Sequence, residues 1–229
     1  MKKRLTRFLP FLLAFTIALP SYSVFAEEEN QAKETQTNET NETQADETTA
    51  NDTLSLAAET AVLIDAASGE ILYDKDADKK MYPASITKLM TILLALENGK
   101  LTDEITFSHD AVYNIEPGSA HIAILEGETL TLEQVLRAII LRSANEASNG
   151  VAEYVDGSVE AFAKHMTERA KELGCTNTNF VNANGLFDEN HYTTAHDMAL
   201  IARELLKHEE YRSMMSETDY EIPPTNLQT

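Results

Sequence analysis

Apolar residues follow three different rhythms along this chain, and each rhythm predicts a different element. Ala61-Val62-Leu63-Ile64 is an unbroken apolar run, and a turn-like Ala66-Ala67-Ser68-Gly69 follows it. The pattern predicts two strands, Ala61–Asp65 and Gly69–Lys75, the first covered on both faces. From Ser85 to Glu97 the apolar positions Ile86, Leu89, Met90, Ile92, Leu93, Leu94 and Leu96 leave little polar face, with Pro83 just before and Gly99 just after. This predicts a helix buried in the middle of a domain rather than laid on its surface. Beyond it the pattern becomes amphipathic. Thr131 to Leu141 opens with a capping box, Thr131 with Gln134, and breaks at Arg142 to Asn145. A helix-like stretch runs from Glu146 to Val155. Ser158 caps a further helix that carries Val159, Phe162, Met166 and Ala170 and stops at Gly174, and Thr194 with Asp197 starts another.

The N-terminal residues obey no such rhythm. Lys2, Lys3, Arg4 and Arg7 precede a short apolar run, Phe8 to Leu19, then Pro20 and the small-residue pattern Val24-Phe25-Ala26. This is the layout of a secretory signal peptide cleaved after Ala26; the run is shorter than the ~20 residues a membrane-spanning helix needs. Glu27 to Thr53 is built from Glu, Thr, Asn, Gln and Asp and buries too little apolar surface to offset its ordering entropy, so it reads as a disordered acidic tether. The predicted organisation is therefore a leader at 1–26, a tether at 27–53 and one folded domain at 54–229.

Charge narrows the function. The head contributes +4 and the tether −8, so of the −20 total, −16 lies on residues 54–229. That balance argues against nucleic acid as a partner and against an electrostatic hold on anionic lipid. Cys175 is the only cysteine, so no internal disulfide forms; it reads as a small residue just past a helix end. The six histidines show no His-Glu-x-x-His spacing, and no glycine-rich phosphate loop occurs. No metal and no cofactor is implied.

Two short motifs carry possible chemistry. In Ser85-Ile86-Thr87-Lys88 the serine and lysine stand at i and i+3, on one helix face, so the amine can reach the hydroxyl. A serine needs its proton removed to act as a nucleophile, and burial among apolar neighbours lowers a lysine pKa toward the neutral base that does so. Ser143-Ala144-Asn145 sits at the break between two helices, where a hydroxyl and an amide two residues apart can both face a cleft. Taken singly, the first motif is more readily an ordinary helix cap followed by a solvated lysine, and the second is equally a plain N-cap.

Taken together, in this order and 58 residues apart, they resemble the active-site serine penicillin-binding and β-lactamase superfamily. The closer resemblance is to low-molecular-weight D-alanyl-D-alanine carboxypeptidases. It is carried by Ala61–Asp65 with Ser68-Gly69, by Tyr82-Pro83-Ala84-Ser85-Ile86-Thr87-Lys88-Leu89-Met90-Thr91 and by Ser143-Ala144-Asn145-Glu146-Ala147. Asn184-Gly185-Leu186 and Tyr192–Ala199 add to it. The resemblance implies an α+β fold of the β-lactamase/transpeptidase type, an antiparallel sheet flanked by helices plus a helical subdomain. It implies Ser85 as the nucleophile, Lys88 as the general base, Ser143 as a proton shuttle and Asn145 as the group that positions Lys88 and the substrate amide. The implied substrate is a peptidoglycan stem peptide ending in D-Ala-D-Ala, with β-lactam antibiotics as covalent inhibitors. The implied location is the extracytoplasmic face of the membrane or the wall of a bacterium, any membrane association resting on a C-terminal segment not present here.

The chain departs from that pattern in one respect. The superfamily's third motif, Lys-Thr-Gly, does not occur in these residues. The resemblance places it on a strand beyond Ile222-Pro223-Pro224-Thr225-Asn226, so the C-terminal sheet strands, the substrate carboxylate site and the second oxyanion donor are expected to be missing from residues 1–229. Loss of one oxyanion donor alone costs about 10²–10³ in rate, and little carboxypeptidase activity is expected of these residues by themselves. The rival readings are a β-lactamase, against which stands the absence of a Glu-x-x-Leu-Asn pattern, a peptidoglycan endopeptidase, and a non-catalytic wall-binding protein.

Overall fold

The computed structural model describes residues 56–229 and the backbone of residues 3–6. The tether and all but four residues of the leader lie outside the described residues. The architecture grows around one helix, α1 (Lys88–Asn98), in which Met90 and Thr91 to Ala95 are buried. Pro83, with φ fixed near its ring value, starts a 3-10 turn at Ala84–Thr87, and α1 continues from that turn. The predicted Ser85–Glu97 helix is therefore two pieces, with Ser85 in the tight turn and Lys88 opening the α-helix.

Four longer helices wrap α1. They are α3 (Leu132–Arg142), α4 (Asn145–Asp156), α5 (Val159–Glu172) and α6 (Ala195–Leu205). Thr131 and Gln134 form the predicted capping box at the start of α3, and Ser158 and Thr194 cap α5 and α6 through their side-chain oxygens. Two short helices complete the set, α2 (His109–Tyr113) and α7 (Glu209–Met215). Both are too short for the apolar period to reveal. The core comprises Met90, Leu93 and Leu94 of α1 against Leu132 and Leu136 of α3, Phe162 and Met166 of α5, and Ile201 and Leu205 of α6, all fully buried.

Three antiparallel strand pairs lie around this bundle: β2 (Ala61–Ile64) with β3 (Ile71–Lys75), β4 (Glu104–Thr106) with β5 (Thr129–Thr131), and β1 (Lys3–Thr6) with β6 (Asp219–Ile222). β1 falls within the stretch read as a leader and pairs antiparallel with β6. The apolar run of β2 misleads in one way. It predicts cover on both faces, yet Leu63 is 53% exposed, as is Leu72, with Ile71 at 45%. Among the described residues the hairpin is only two strands wide and α6 packs against it, so one face stays open.

Polar ties fasten the outer elements. Buried Glu128 accepts hydrogen bonds from the Leu125 N–H, the Thr225 hydroxyl and Gln228 Nε2, pinning 225–228 to the start of β5. Arg137 of α3 forks onto Glu217 through two 2.9 Å bonds and stacks over Tyr220, holding the chain after α7. Substitution separates the core from the open face. Leu93→Ala is expected to cost about 2–5 kcal/mol in urea unfolding, whereas Leu63→Ala should stay within about 0.5 kcal/mol.

Candidate active site

The Ser85 side chain stands exposed on its 3-10 turn, and the Lys88 side chain one turn later is 4% exposed. Their reactive atoms, Lys88 Nζ and Ser85 Oγ, lie 3.4 Å apart. The amine also donates to Asn145 Oδ1 at 2.8 Å and to the backbone carbonyl of Asn184 at 2.5 Å. Burial pushes the Lys88 pKa down to about 8, while the charge of Glu146 acts the other way. The amine thus faces the helix break at 143–145 and not bulk water.

Each neighbour arrives for a local reason. The last residue of α3 is followed by Ser143 in the left-handed region (φ 55), which turns the chain sharply; Ala144 is extended and Asn145 begins α4. The polar residues Asn145, Glu146, Ser148 and Asn149 then point inward, and all are buried. Asn184 comes from a turn that fastens itself. Asn182 Oδ1 accepts from the Gly185 N–H at 2.7 Å, Asn182 Nδ2 donates to the Leu186 carbonyl, and Asn184 Oδ1 accepts from the Leu186 N–H. Gly185 has φ +85, and a Cβ there would sit 1.9 Å from the Ala84 carbonyl oxygen, so this turn meets the Ser85 turn only because residue 185 is glycine.

The same turn is bound along α1 by two further polar side chains. Thr91 Oγ1 donates to the Ala183 carbonyl at 2.6 Å, and Thr87 Oγ1 stands 2.8 Å from His191 Nε2. His191 Nδ1 accepts from the Val181 N–H, so its proton sits on Nε2 and is given to Thr87. Burial pushes the His191 pKa down to about 4.

Sequence reasoning selected Ser85, Lys88, Ser143 and Asn145. The structure gathers Ser85, Lys88 and Asn145 around one amine. Ser143 lies on the same turn as Asn145, but its hydroxyl is buried and makes no hydrogen bond to Ser85 or Lys88. Asn184, Thr91, His191 and Glu146 went unassigned. A signal for Asn184, Thr91 and His191 lay in this stretch of chain: Thr87, Lys88 and Thr91 are polar residues buried along it, and buried polar groups need partners.

Tyr82, Ile86 and Phe187 flank the serine with exposed apolar surface, and the Tyr82 and Phe187 rings meet edge to face, 4.9 Å between centroids. Cys175 is buried with its thiol pushed up to about 12, so it stays protonated and serves packing. Among the described residues no three His, Cys, Asp or Glu side chains cluster as a metal site would require.

Residues 44–226 match the D-alanyl-D-alanine carboxypeptidase family. The chain belongs to that family. It is 43% identical over 161 residues to the D-alanyl-D-alanine carboxypeptidase DacF of Bacillus subtilis, covering 68% of this chain and 41% of that one. It is 37% identical over 160 residues to DacC of Escherichia coli, covering 66% of this chain and 40% of the relative. Among solved structures, penicillin binding protein 5 of Haemophilus influenzae superposes with a TM-score of 0.69 at 32% identity, over 74% of this chain and 53% of that one. The D-alanyl-D-alanine carboxypeptidase DacD of Francisella tularensis gives 0.67 at 32% identity, over 72% and 40%. The α+β fold of this carboxypeptidase family member is thereby the penicillin-binding fold, and the chain spans about two fifths of the length of the relatives named first.

His191 gives this region a pH dependence with a definite sign. A histidine held neutral stabilises the fold fully above its unfolded pKa of 6.5, and that contribution is lost as pH falls toward about 4. The stability difference between the wild type and His191→Gln, measured by urea unfolding, is expected to shrink by up to about 3 kcal/mol between pH 6.5 and pH 4.

Proposed function

We propose that this chain carries the nucleophile and the base of an exported serine D-Ala-D-Ala carboxypeptidase acting on peptidoglycan stem peptides. One observation supports this most: the amine of Lys88 is buried, and two of its directions are taken by fixed acceptors, Asn145 Oδ1 and the Asn184 carbonyl. A neutral amine has two N–H bonds and one lone pair. With both N–H bonds spent on those acceptors, the lone pair is left toward Ser85 Oγ.

The reaction follows from that orientation. Ser85 Oγ attacks the carbonyl carbon between the two D-alanines as its proton passes to Lys88 Nζ, and the carbonyl π pair moves onto oxygen. The Ser85 backbone N–H donates to that oxyanion. Collapse expels the terminal D-alanine, whose nitrogen takes a proton relayed by Ser143, and an acyl-enzyme remains on Ser85. Water, deprotonated by Lys88, hydrolyses it. Asn145 works from both ends of its amide: Oδ1 holds Lys88, and Nδ2 is the donor for the substrate's peptide carbonyl. A β-lactam presents its ring carbonyl to the same serine and acylates it.

The sequence pattern of a leader at 1–26 and a tether at 27–53 supports the reading of a domain that works outside the cytoplasmic membrane. The family membership and relatives named for carboxypeptidase activity add weight to the substrate.

A fluorescent penicillin is expected to label the protein carrying this chain at Ser85. Below pH 8 the labelling rate should rise about tenfold per unit and then level, because the neutral fraction of a base with pKa about 8 does so. Label that persists in Ser85→Ala, or a rate flat from pH 6 to pH 9, would remove Ser85 and Lys88 from these roles.

A further inference from the structure

A cavity beside the Ser143–Asn145 turn has chemistry that the reaction above does not use. It is a depression of about 360 Å³ between the 112–125 segment and the start of α4. Val112, Ile124 and Leu125 give it apolar wall, and Glu116, His121 and Glu146 give it polar wall. Among the described residues no lysine or arginine lines it. Its walls therefore combine alkyl surface with two acids, and no basic side chain of the lining answers them.

Glu146 is the acid that asks for a ligand. It is 1% exposed, and a carboxylate in such a place is costly unless both oxygens find donors. Oε1 accepts from the Ile122 N–H at 2.7 Å, whereas Oε2 is buried and has no hydrogen-bond partner. A second open acceptor stands close by in the chain: Ser119 follows Gly118 of the cavity wall, and its buried hydroxyl also lacks a partner. The cavity adjoins the reactive groups through the backbone. The Asn145 N–H donates to the Ala120 carbonyl at 2.9 Å, and Asn145 Oδ1 holds Lys88, whose amine is 3.4 Å from Ser85 Oγ. Asn145 Nδ2, the donor to the substrate's peptide carbonyl, thus anchors the substrate backbone one residue from Glu146.

We propose that this cavity is a specificity subsite that takes a primary ammonium on an alkyl stem, borne by the residue just before the two D-alanines of the substrate. The proposal rests on the carboxypeptidase reading of Ser85. Both D-alanines carry only methyl side chains, so the residue before them is the first that can fill a cavity of this size. At about 30 Å³ per water molecule, the cavity has room for a lysine-like side chain of about five heavy atoms. The apolar wall suits its methylenes. The ammonium gives Glu146 Oε2 the charge-assisted hydrogen bond it lacks, and Ser119 Oγ offers a further acceptor. A guanidinium fits less well, because its fork binds both oxygens of a carboxylate and Oε1 is already taken by Ile122.

The test compares two peptides, Nα-acetyl-L-lysyl-D-Ala-D-Ala and the same peptide acetylated on its side-chain amine, as substrates of the protein carrying this chain. The kcat/KM for D-alanine release is expected to be about tenfold higher with the free amine, the order of one charge-assisted hydrogen bond. In Glu146→Gln, which keeps an oxygen for the Ile122 N–H and removes the charge, that ratio should fall to about one. The ratio is taken within each protein, so a general loss of activity in the variant cancels. A preference that survives in Glu146→Gln reports only the bulk of the acetyl group and overturns the proposal. Should Glu146→Gln fail to fold, Leu125→Lys replaces a half-exposed wall residue and supplies the cavity with its own ammonium. The ratio should again fall to about one, and an unchanged ratio overturns the proposal. Equal cleavage of the two peptides by a wild-type protein that penicillin labels at Ser85 overturns this proposal alone. Failure of both cleavage and labelling overturns it together with the carboxypeptidase reading.

Discussion

The structure turns on a single amine held out of water. Lys88 opens a buried helix, and a charged ammonium there would be costly to desolvate, so the site tolerates it only through acceptors brought from two other places in the chain. Those acceptors fix where the amine points, and burial fixes how readily it gives up its proton. Ser85, exposed on the preceding turn, gains a base without needing a histidine. One constraint therefore supplies both orientation and reactivity.

The remainder of the fold reads as the means of delivering those acceptors. The left-handed Ser143 ends α3 and turns Asn145 inward. The 182–186 turn reaches the amine because Asn182 and Asn184 fasten its backbone and Gly185 permits close approach to Ala84. Thr87 and Thr91 hold that turn along α1 at either side of Lys88. Two segments remote in sequence thus converge on one helical turn, and each is positioned by hydrogen bonds among buried groups. Such networks are worth most when complete. The two open points, Ser143 Oγ and Glu146 Oε2, both lie at the helix break next to the reactive groups.

Much of this was legible in the residues. The caps at Thr131, Ser158 and Thr194 and the apolar period of α3, α5 and α6 mark helices whose ends are set by local hydrogen bonding. The buried character of α1 is visible because apolar side chains occupy nearly every face. The i, i+3 spacing placed Lys88 beside Ser85, since helix geometry is local. What was hidden is non-local. Nothing in the pattern shows that Asn184 offers its backbone carbonyl, because every residue has one. Nothing in the pattern shows that Glu146, an acid on the first turn of its helix, is buried. The open face of β2 was misjudged because an apolar run reports the preference of the side chains and not the number of layers available to cover them.

The account stands or falls on the charge of Lys88 near neutral pH. Direct titration of the Lys88 ¹³Cε resonance in the wild-type protein measures it. A midpoint near 8 is the predicted result. A midpoint above 10, the value of a lysine in open solvent, would mean that the amine is neither desolvated nor able to serve as the base.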